Sequence, residues 1–122
     1  MELRDRYRGA LLGLAAGDAL GATLEFRAPG SFTKINDMVG GGPFYLAPGE
    51  STDDTSMALC LAESLIETRR FDPMDQLERY IRWADHAHLS SHGSVFDIGN
   101  TVRRALVNFR ASRRPHAGPS DE

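Results

Sequence analysis

Residues 48–65 read PGESTDDTSMALCLAESL, a polar turn that becomes a nearly all-apolar helix. The stretch sets a hydroxyl and two adjacent carboxylates, Thr52, Asp53 and Asp54, at the mouth of that helix. Met57, Leu61 and Leu65 follow one helical track, with Ala58, Ala62 and Ile66 beside it. Leu59 and Cys60 complete a helix that is apolar almost all round, which predicts burial on most sides. Acids in a first turn are favoured by the helix dipole at about 0.3–1 kcal/mol each, and Thr52 or Ser51 is a routine N-cap. Capping alone would explain the motif. Yet two repelling charges at the end of a buried helix call for something positive between them. A hydroxyl and two carboxylates within one turn are also the hard oxygen donors that Mg²⁺ and Ca²⁺ take. Three ligands do not complete a site, so both readings stand at this point.

Upstream, residues 4–22 read as a first helix with Tyr7, Leu11, Leu14 and Ala15 on a helical stripe. Gly9, Gly13, Gly17 and Gly21 recur every four residues along one face. Each costs about 1 kcal/mol relative to alanine, so the stripe predicts close approach of another helix backbone. Asp18 would then be crowded and partly buried, where a lone carboxylate needs a partner or a ligand. Residues 23–50 hold five glycines and three prolines with no helical period. A loop of that length is usually functional or disordered. Its GGGPFYLAPGE segment suits either a ligand contact or a flexible connector.

Downstream, FDPMDQ opens another helix with Asp72 as N-cap and Pro73 at its first position. It is expected to run to about His86 with Leu77, Tyr80, Ile81 and Ala84 inward. HAHLSSHGS, residues 86–94, reads as a loop, and a last helix from about Gly99 to Ala111 carries Val102, Ala105, Leu106 and Phe109 on one face. Residues 112–122 form a polar tail. With no strand pattern and no strict repeat, the fold class is all-α in one domain.

The 122 residues are 41% hydrophobic and 25% charged, which argues for a globular chain with a modest core. A net charge of −3 offers no basic field for nucleic acid or anionic lipid. The single cysteine, Cys60, has no internal disulfide partner and points to a reduced, cytoplasmic setting. The apolar run from Ala10 is interrupted by Asp18 and is too short and polar to span a bilayer or serve as a signal peptide. No other segment is a membrane candidate.

Among single residues, Glu25 between Leu24 and Phe26 suits a plain exposed loop position, and Asp97 in FDIGNT suits an N-cap of the last helix. His86, His88 and His92 are close in sequence, but without cysteines they read as surface imidazoles rather than a zinc set. No P-loop, Gly-x-Ser-x-Gly elbow or dinucleotide fingerprint is present.

Three segments together, YRGALLGLAAGDALGATLEF, PGESTDDTSMALCLAESL and FDIGNTVRRAL, resemble the ADP-ribosylglycohydrolase family in order and approximate spacing. The resemblance runs to about residue 112. It implies an all-α enzyme with two Mg²⁺ ions between its helices, Mn²⁺ being the alternative. It implies metal ligation by Thr52, Asp53 and Asp54, and a mobile catalytic role near the metals and the reacting ribose for Glu25. Asp97 becomes a catalytic or substrate contact at the distal ribose or the leaving side chain, and Ser91, Gly93, Ser94 and Phe96 become cleft-lining substrate contacts. The implied substrate is an ADP-ribosylated protein or an ADP-ribosyl small molecule. Family members are more than twice this length and carry a late Asp-x-Asp-Thr/Ser motif and a Gly-Asn-Gly-Ser-type segment, neither of which occurs here. The chain therefore reads as the N-terminal part of such an enzyme, supplying half of a dinuclear site and needing its C-terminal half or a second chain. Two other classes remain: a non-catalytic helical ADP-ribose-binding module, and a structural subunit in which Thr52, Asp53 and Asp54 only cap a helix. Turnover of ADP-ribosylarginine tests the first and saturable Mg²⁺ heat the second.

Overall fold

The structure is a computed structural model and describes residues 2–116. It contains four helices: α1 (Leu3–Gly21), α2 (Asp53–Thr68), α3 (Pro73–His86) and α4 (Asn100–Ser112). A single 3₁₀ turn, Ala22–Leu24, continues α1. Among the described residues there is no strand, only an isolated antiparallel bridge between Gly41 and Leu46. The polar tail expected at 112–122 falls outside the described residues from position 117 onward.

The helices pack in chain order, α1 on α2, α2 on α3 and α3 on α4. The middle of the array is the best filled: Trp83 of α3, Phe109 of α4 and Cys60 of α2 are almost fully buried. α3 starts as its sequence predicts, with Pro73 at the first position and the Asp72 carboxylate accepting from Asp75 N–H at 3.2 Å. Its inward face differs from expectation. Leu77, Tyr80, Ile81 and Ala84 are half-buried, while Trp83 and Arg79 are the buried pair.

The same correction applies to α2. Its buried stripe is Ser56, Cys60 and Ser64, four residues apart, whereas Leu65 and Ile66 are 43% and 74% exposed. Cys60 in this stripe meets α3 closely, its thiol lying 3.7 Å from Arg79 O. On α4, Leu106 and Phe109 are buried and Val102 and Ala105 half-buried, the face the periodicity predicts.

α1 departs furthest. Only Ala19 is buried, and Tyr7, Leu11 and Leu14 are exposed. Apart from the helix's own neighbouring backbone and adjoining residues, nothing lies within 4 Å of where a Cβ would stand on Gly9, Gly13, Gly17 or Gly21, so no other backbone among the described residues crosses the stripe. α1 meets α2 through its C-terminal end, and the glycines face open space.

The 23–50 loop contains an ordered turn. Gly41 and Leu46 exchange two backbone hydrogen bonds, at 2.7 and 3.0 Å, and Leu46 is buried. The Thr23 hydroxyl donates to Gly40 O at 3.0 Å. Gly42, at φ +68°, lies so close to Ala22 O and Thr23 that a Cβ would sit 2.4 Å from that oxygen. The turn is thereby clamped to the end of the first helix.

Candidate metal-binding and active site

α2 begins after Thr52, whose backbone is extended but whose side chain does not close the cap. Asp18 of α1 does that work. Its carboxylate accepts from Thr52 N–H at 2.9 Å, Thr52 Oγ1 at 2.7 Å, Thr55 N–H at 3.1 Å and Thr55 Oγ1 at 2.5 Å. The N-terminal amides of a helix lack intrahelical partners, and a negative charge in front of them is doubly favoured. Thr52 thus occupies the N-cap position that the sequence suggested, but the capping hydrogen bonds come from Asp18 instead of its own side chain. Because the Thr52 hydroxyl spends its proton on Asp18, its oxygen lone pairs remain for a ligand.

In front of this helix mouth lies an open cleft of about 550 Å³, lined by Asp18, Glu25, Thr52, Asp53, Asp54 and Asp97. Gly13, Gly17 and Gly21 line its α1 side. The absent side chains there leave volume that any larger residue would fill. No Lys, Arg or His among the described residues lines the cleft.

Glu25 follows the 3₁₀ turn, with its N–H bonded to Ala22 O at 3.4 Å. Burial, and then the charges of Asp97, Asp53, Asp18 and Asp54, raise its pKa. Asp53 is pushed up to about 6, first by burial and then by Asp97 and Asp54. Asp97 is raised by burial and by Asp54 and Asp18. Like charges gathered in a partly dry cleft resist ionisation together, and a cation entering the cleft would relieve all of them.

Asp97 is not the N-cap of α4. That helix starts at Asn100 behind Gly99, without a side-chain cap. Asp97 sits earlier, at φ +52°, and reaches the cleft. Ser91, Gly93, Ser94 and Phe96 are not among the residues that line it. The Ser91 hydroxyl accepts from Ser51 N–H at 2.9 Å and donates to Ser51 O at 2.7 Å. Ser94 O accepts from the Ser90 hydroxyl at 2.8 Å, and Gly93 takes the left-handed φ of +71° that its loop needs. Phe96 packs on Phe44 with ring centroids 5.2 Å apart. The three histidines go separate ways: His88 pairs with Glu63 and His92 with Glu50, and His86 is exposed at the end of α3.

Among the described residues, no three His, Cys, Asp or Glu side chains converge closely enough to hold an ion unaided. The chemistry of the donor set nevertheless fits a hard divalent cation, with carboxylates and a lone-pair-bearing hydroxyl facing one cleft. Sequence reasoning missed the capping role of Asp18, although its inward position flagged the need for a partner. It also missed the ring contacts of Phe44, for which no sequence signal exists.

The family model described as ADP-ribosylglycohydrolase matches residues 1–121. The chain is 57% identical over 108 residues to ADP-ribosylarginine hydrolase Tri1 of Serratia proteamaculans, covering 88% of this chain and 29% of that protein. It is 41% identical over 111 residues to the ADP-ribosyl-[dinitrogen reductase] glycohydrolase of Rhodospirillum rubrum, covering 88% of this chain and 35% of that one. Among solved structures it is similar to a chain of an ADP-ribosylglycohydrolase-related protein complex, with a TM-score of 0.80 and 49% identity over 95% of this chain and 36% of the other. The chain thus spans about a third of the length of the relatives it matches. With a family match over nearly every residue and a shared helical fold, this chain belongs to the ADP-ribosylglycohydrolase family.

Proposed function

We propose that this chain forms one wall of the active site of a Mg²⁺-dependent ADP-ribosylglycohydrolase, which hydrolyses the bond between ADP-ribose and a protein side chain. The observation that carries the reading is the cleft itself: Glu25, Asp53, Asp54 and Asp97 face one space with no basic side chain among its described lining residues. Two of this chain's relatives are ADP-ribosylarginine hydrolases, which makes arginine the first side chain to test.

Thr52, Asp53 and Asp54 would hold the metal on this wall, with the remaining donors supplied from outside these residues. When bound, Mg²⁺ would supply Lewis-acid polarisation of a ribose hydroxyl or of the attacking water. Glu25 orients a water and accepts its proton as the water oxygen bonds to the anomeric carbon. The glycosidic bond to the side chain breaks in the same displacement, and the leaving nitrogen takes the proton that Glu25 accepted, which returns the carboxylate. Its raised pKa brings Glu25 closer to the operating pH, where a general base works best. Asp97, which lines the same cleft, contacts the ribose or the leaving group in this reading. A cytoplasmic setting suits the buried Cys60 thiol, whose pKa burial pushes up to about 11.

The test uses the complete protein that carries this chain, assayed on ADP-ribosylarginine with Mg²⁺ titrated by calorimetry. Asp53→Ala or Asp54→Ala is expected to abolish both metal binding and turnover. Glu25→Gln is expected to lower kcat by about 100-fold or more, within the range of general acid–base contributions, while metal binding persists. Wild-type turnover in either aspartate variant would refute metal ligation. ADP-ribose binding without hydrolysis by the wild type would favour the binding-module reading.

A further inference from the structure

We propose that Phe44 is a positioning residue, its ring holding the two loops that carry Glu25 and Asp97 in fixed relation across the cleft. The inference rests on the catalytic reading above for its activity readout, but its structural basis is independent of it.

Glu25 and Asp97 come from segments far apart in sequence, one ahead of α2 and one ahead of α4. Each is followed or preceded by a phenylalanine: Phe26 after Glu25, Phe96 before Asp97. The Phe44 ring lies between these two. Its centroid is 6.3 Å from that of Phe26 at 72°, an edge-on contact, and 5.2 Å from that of Phe96 at 46°. Aromatic pairs in such arrangements contribute about 0.5–1.5 kcal/mol beyond their buried area. They also fix mutual orientation, which a single aliphatic contact does not.

Phe44 can serve as a reference point because its own turn is fixed. The Gly41–Leu46 bridge closes the turn, and the Thr23 hydroxyl on Gly40 O and the close seat of Gly42 on Ala22 bind it to the 3₁₀ segment that leads into Glu25. Phe26 and Asp97 both occupy left-handed backbone, at φ +60° and +52°. Phe26 is 79% exposed, so little besides the edge of the Phe44 ring holds it in place, whereas Phe96 also meets the His92 ring at 5.5 Å. The ring row thus touches each segment beside its acid. The Ser51–Ser91 bonds join the same two loops at another place, so removal of the Phe44 ring should loosen the acids without detaching the loops.

Phe44→Ala and Phe44→Tyr in the complete protein separate positioning from general packing. Expected for Phe44→Ala is a kcat loss of about 10- to 100-fold, the scale of a misplacement near 1 Å, with KM for ADP-ribosylarginine within about twofold. Phe44→Tyr should restore kcat. Hydrogen–deuterium exchange of the loops around residues 23–30 and 92–98 should quicken together in Phe44→Ala, while α2 and α3 keep their protection. A wild-type kcat in Phe44→Ala, or unchanged exchange in both loops, overturns the proposal. If the wild-type protein hydrolyses no ADP-ribosyl substrate, the catalytic reading fails by itself and the exchange measurement alone decides whether Phe44 positions the two loops.

Discussion

Asp18 is a charged residue used to finish a helix to which it does not belong. Two backbone N–H groups and two hydroxyls, from Thr52 and Thr55, converge on its carboxylate. Thr52 and Thr55 are buried, so their polar groups would lose solvent as well as their partner if the carboxylate were removed. An unsatisfied buried polar group costs about 1–3 kcal/mol, and loss of an N-cap about 0.5–2 kcal/mol. Asp18→Ala is therefore expected to destabilise the protein by about 2–4 kcal/mol, combining those two effects, read as a lower urea midpoint. Asp18→Asn should cost less, because one carbonyl oxygen can still accept. An unchanged midpoint in Asp18→Ala would show that α2 is held by packing alone. The same residue bears on the site, since it fixes the entry of α2 and with it the direction of Asp53 and Asp54.

At the scale of elements, α2 and α3 are joined by one buried guanidinium. The Arg79 side chain is 4% exposed, and its three nitrogens meet Asp75 at 2.6 Å, Glu63 at 2.6 Å and Glu67 at 2.7 Å. Asp75 lies on α3 one turn before Arg79, and the two glutamates lie on α2. The three carboxylates that Arg79→Met would leave, Glu63, Glu67 and Asp75, are 28%, 61% and 32% exposed and so partly screened by water, which sets its expected cost near neutral pH at about 1–3 kcal/mol, below the cost of breaking a fully buried pair. The pH dependence has a definite sign. Hydrogen bonds from His88 and Arg79 hold Glu63 below its ordinary value of 4.5, and Arg79 holds Asp75 below 3.8. Carboxylates depressed in the folded state contribute stability above their unfolded pKa, and this is lost as pH falls through the lower folded values. Acid unfolding of the wild type should therefore steepen below about pH 4, taking those ordinary values as the upper limit of the window. Arg79→Met should flatten that limb while lowering stability at neutral pH. A parallel loss at every pH would count against the clamp.

For the whole molecule, helices that pack only on their neighbours in the chain leave broad faces uncovered. The accessible surface is 8319 Å², against roughly 6,500 Å² for a compact monomer of this mass. Leu3, Tyr7, Leu12 and Ile66 are each more than 60% exposed, and they lie on α1 and α2, the helices that form the cleft. Soluble monomers rarely expose large contiguous apolar faces. The 122-residue chain expressed by itself is expected to self-associate and to bind a hydrophobic dye. Light scattering checks this: a dye-silent monomer of 13.4 kDa would show that the faces need no cover. Among the described residues, no helix is long and apolar enough to cross a membrane.

Much of this architecture was legible from local pattern. Helix positions follow from periodicity and from punctuation such as Asp72–Pro73, because those signals act within a few residues. The Thr52-Asp53-Asp54 motif stood out because its chemistry is unusual for its surroundings, whereas Glu25 read as a plain loop residue until the family resemblance picked it out. Their gathering with Asp97 in one cleft depended on the fold. So did the assignment of the helix cap to Asp18, the burial of Arg79 and Trp83 in place of the aliphatic track, and the ring row through Phe44. Each joins residues from different segments, and no one-dimensional period reports which distant backbone will stop within reach. The glycines of α1 make the division plain. Their spacing every four residues is a property of the sequence by itself, but whether that face meets a helix or opens onto a cleft is decided only when α2 arrives beside it.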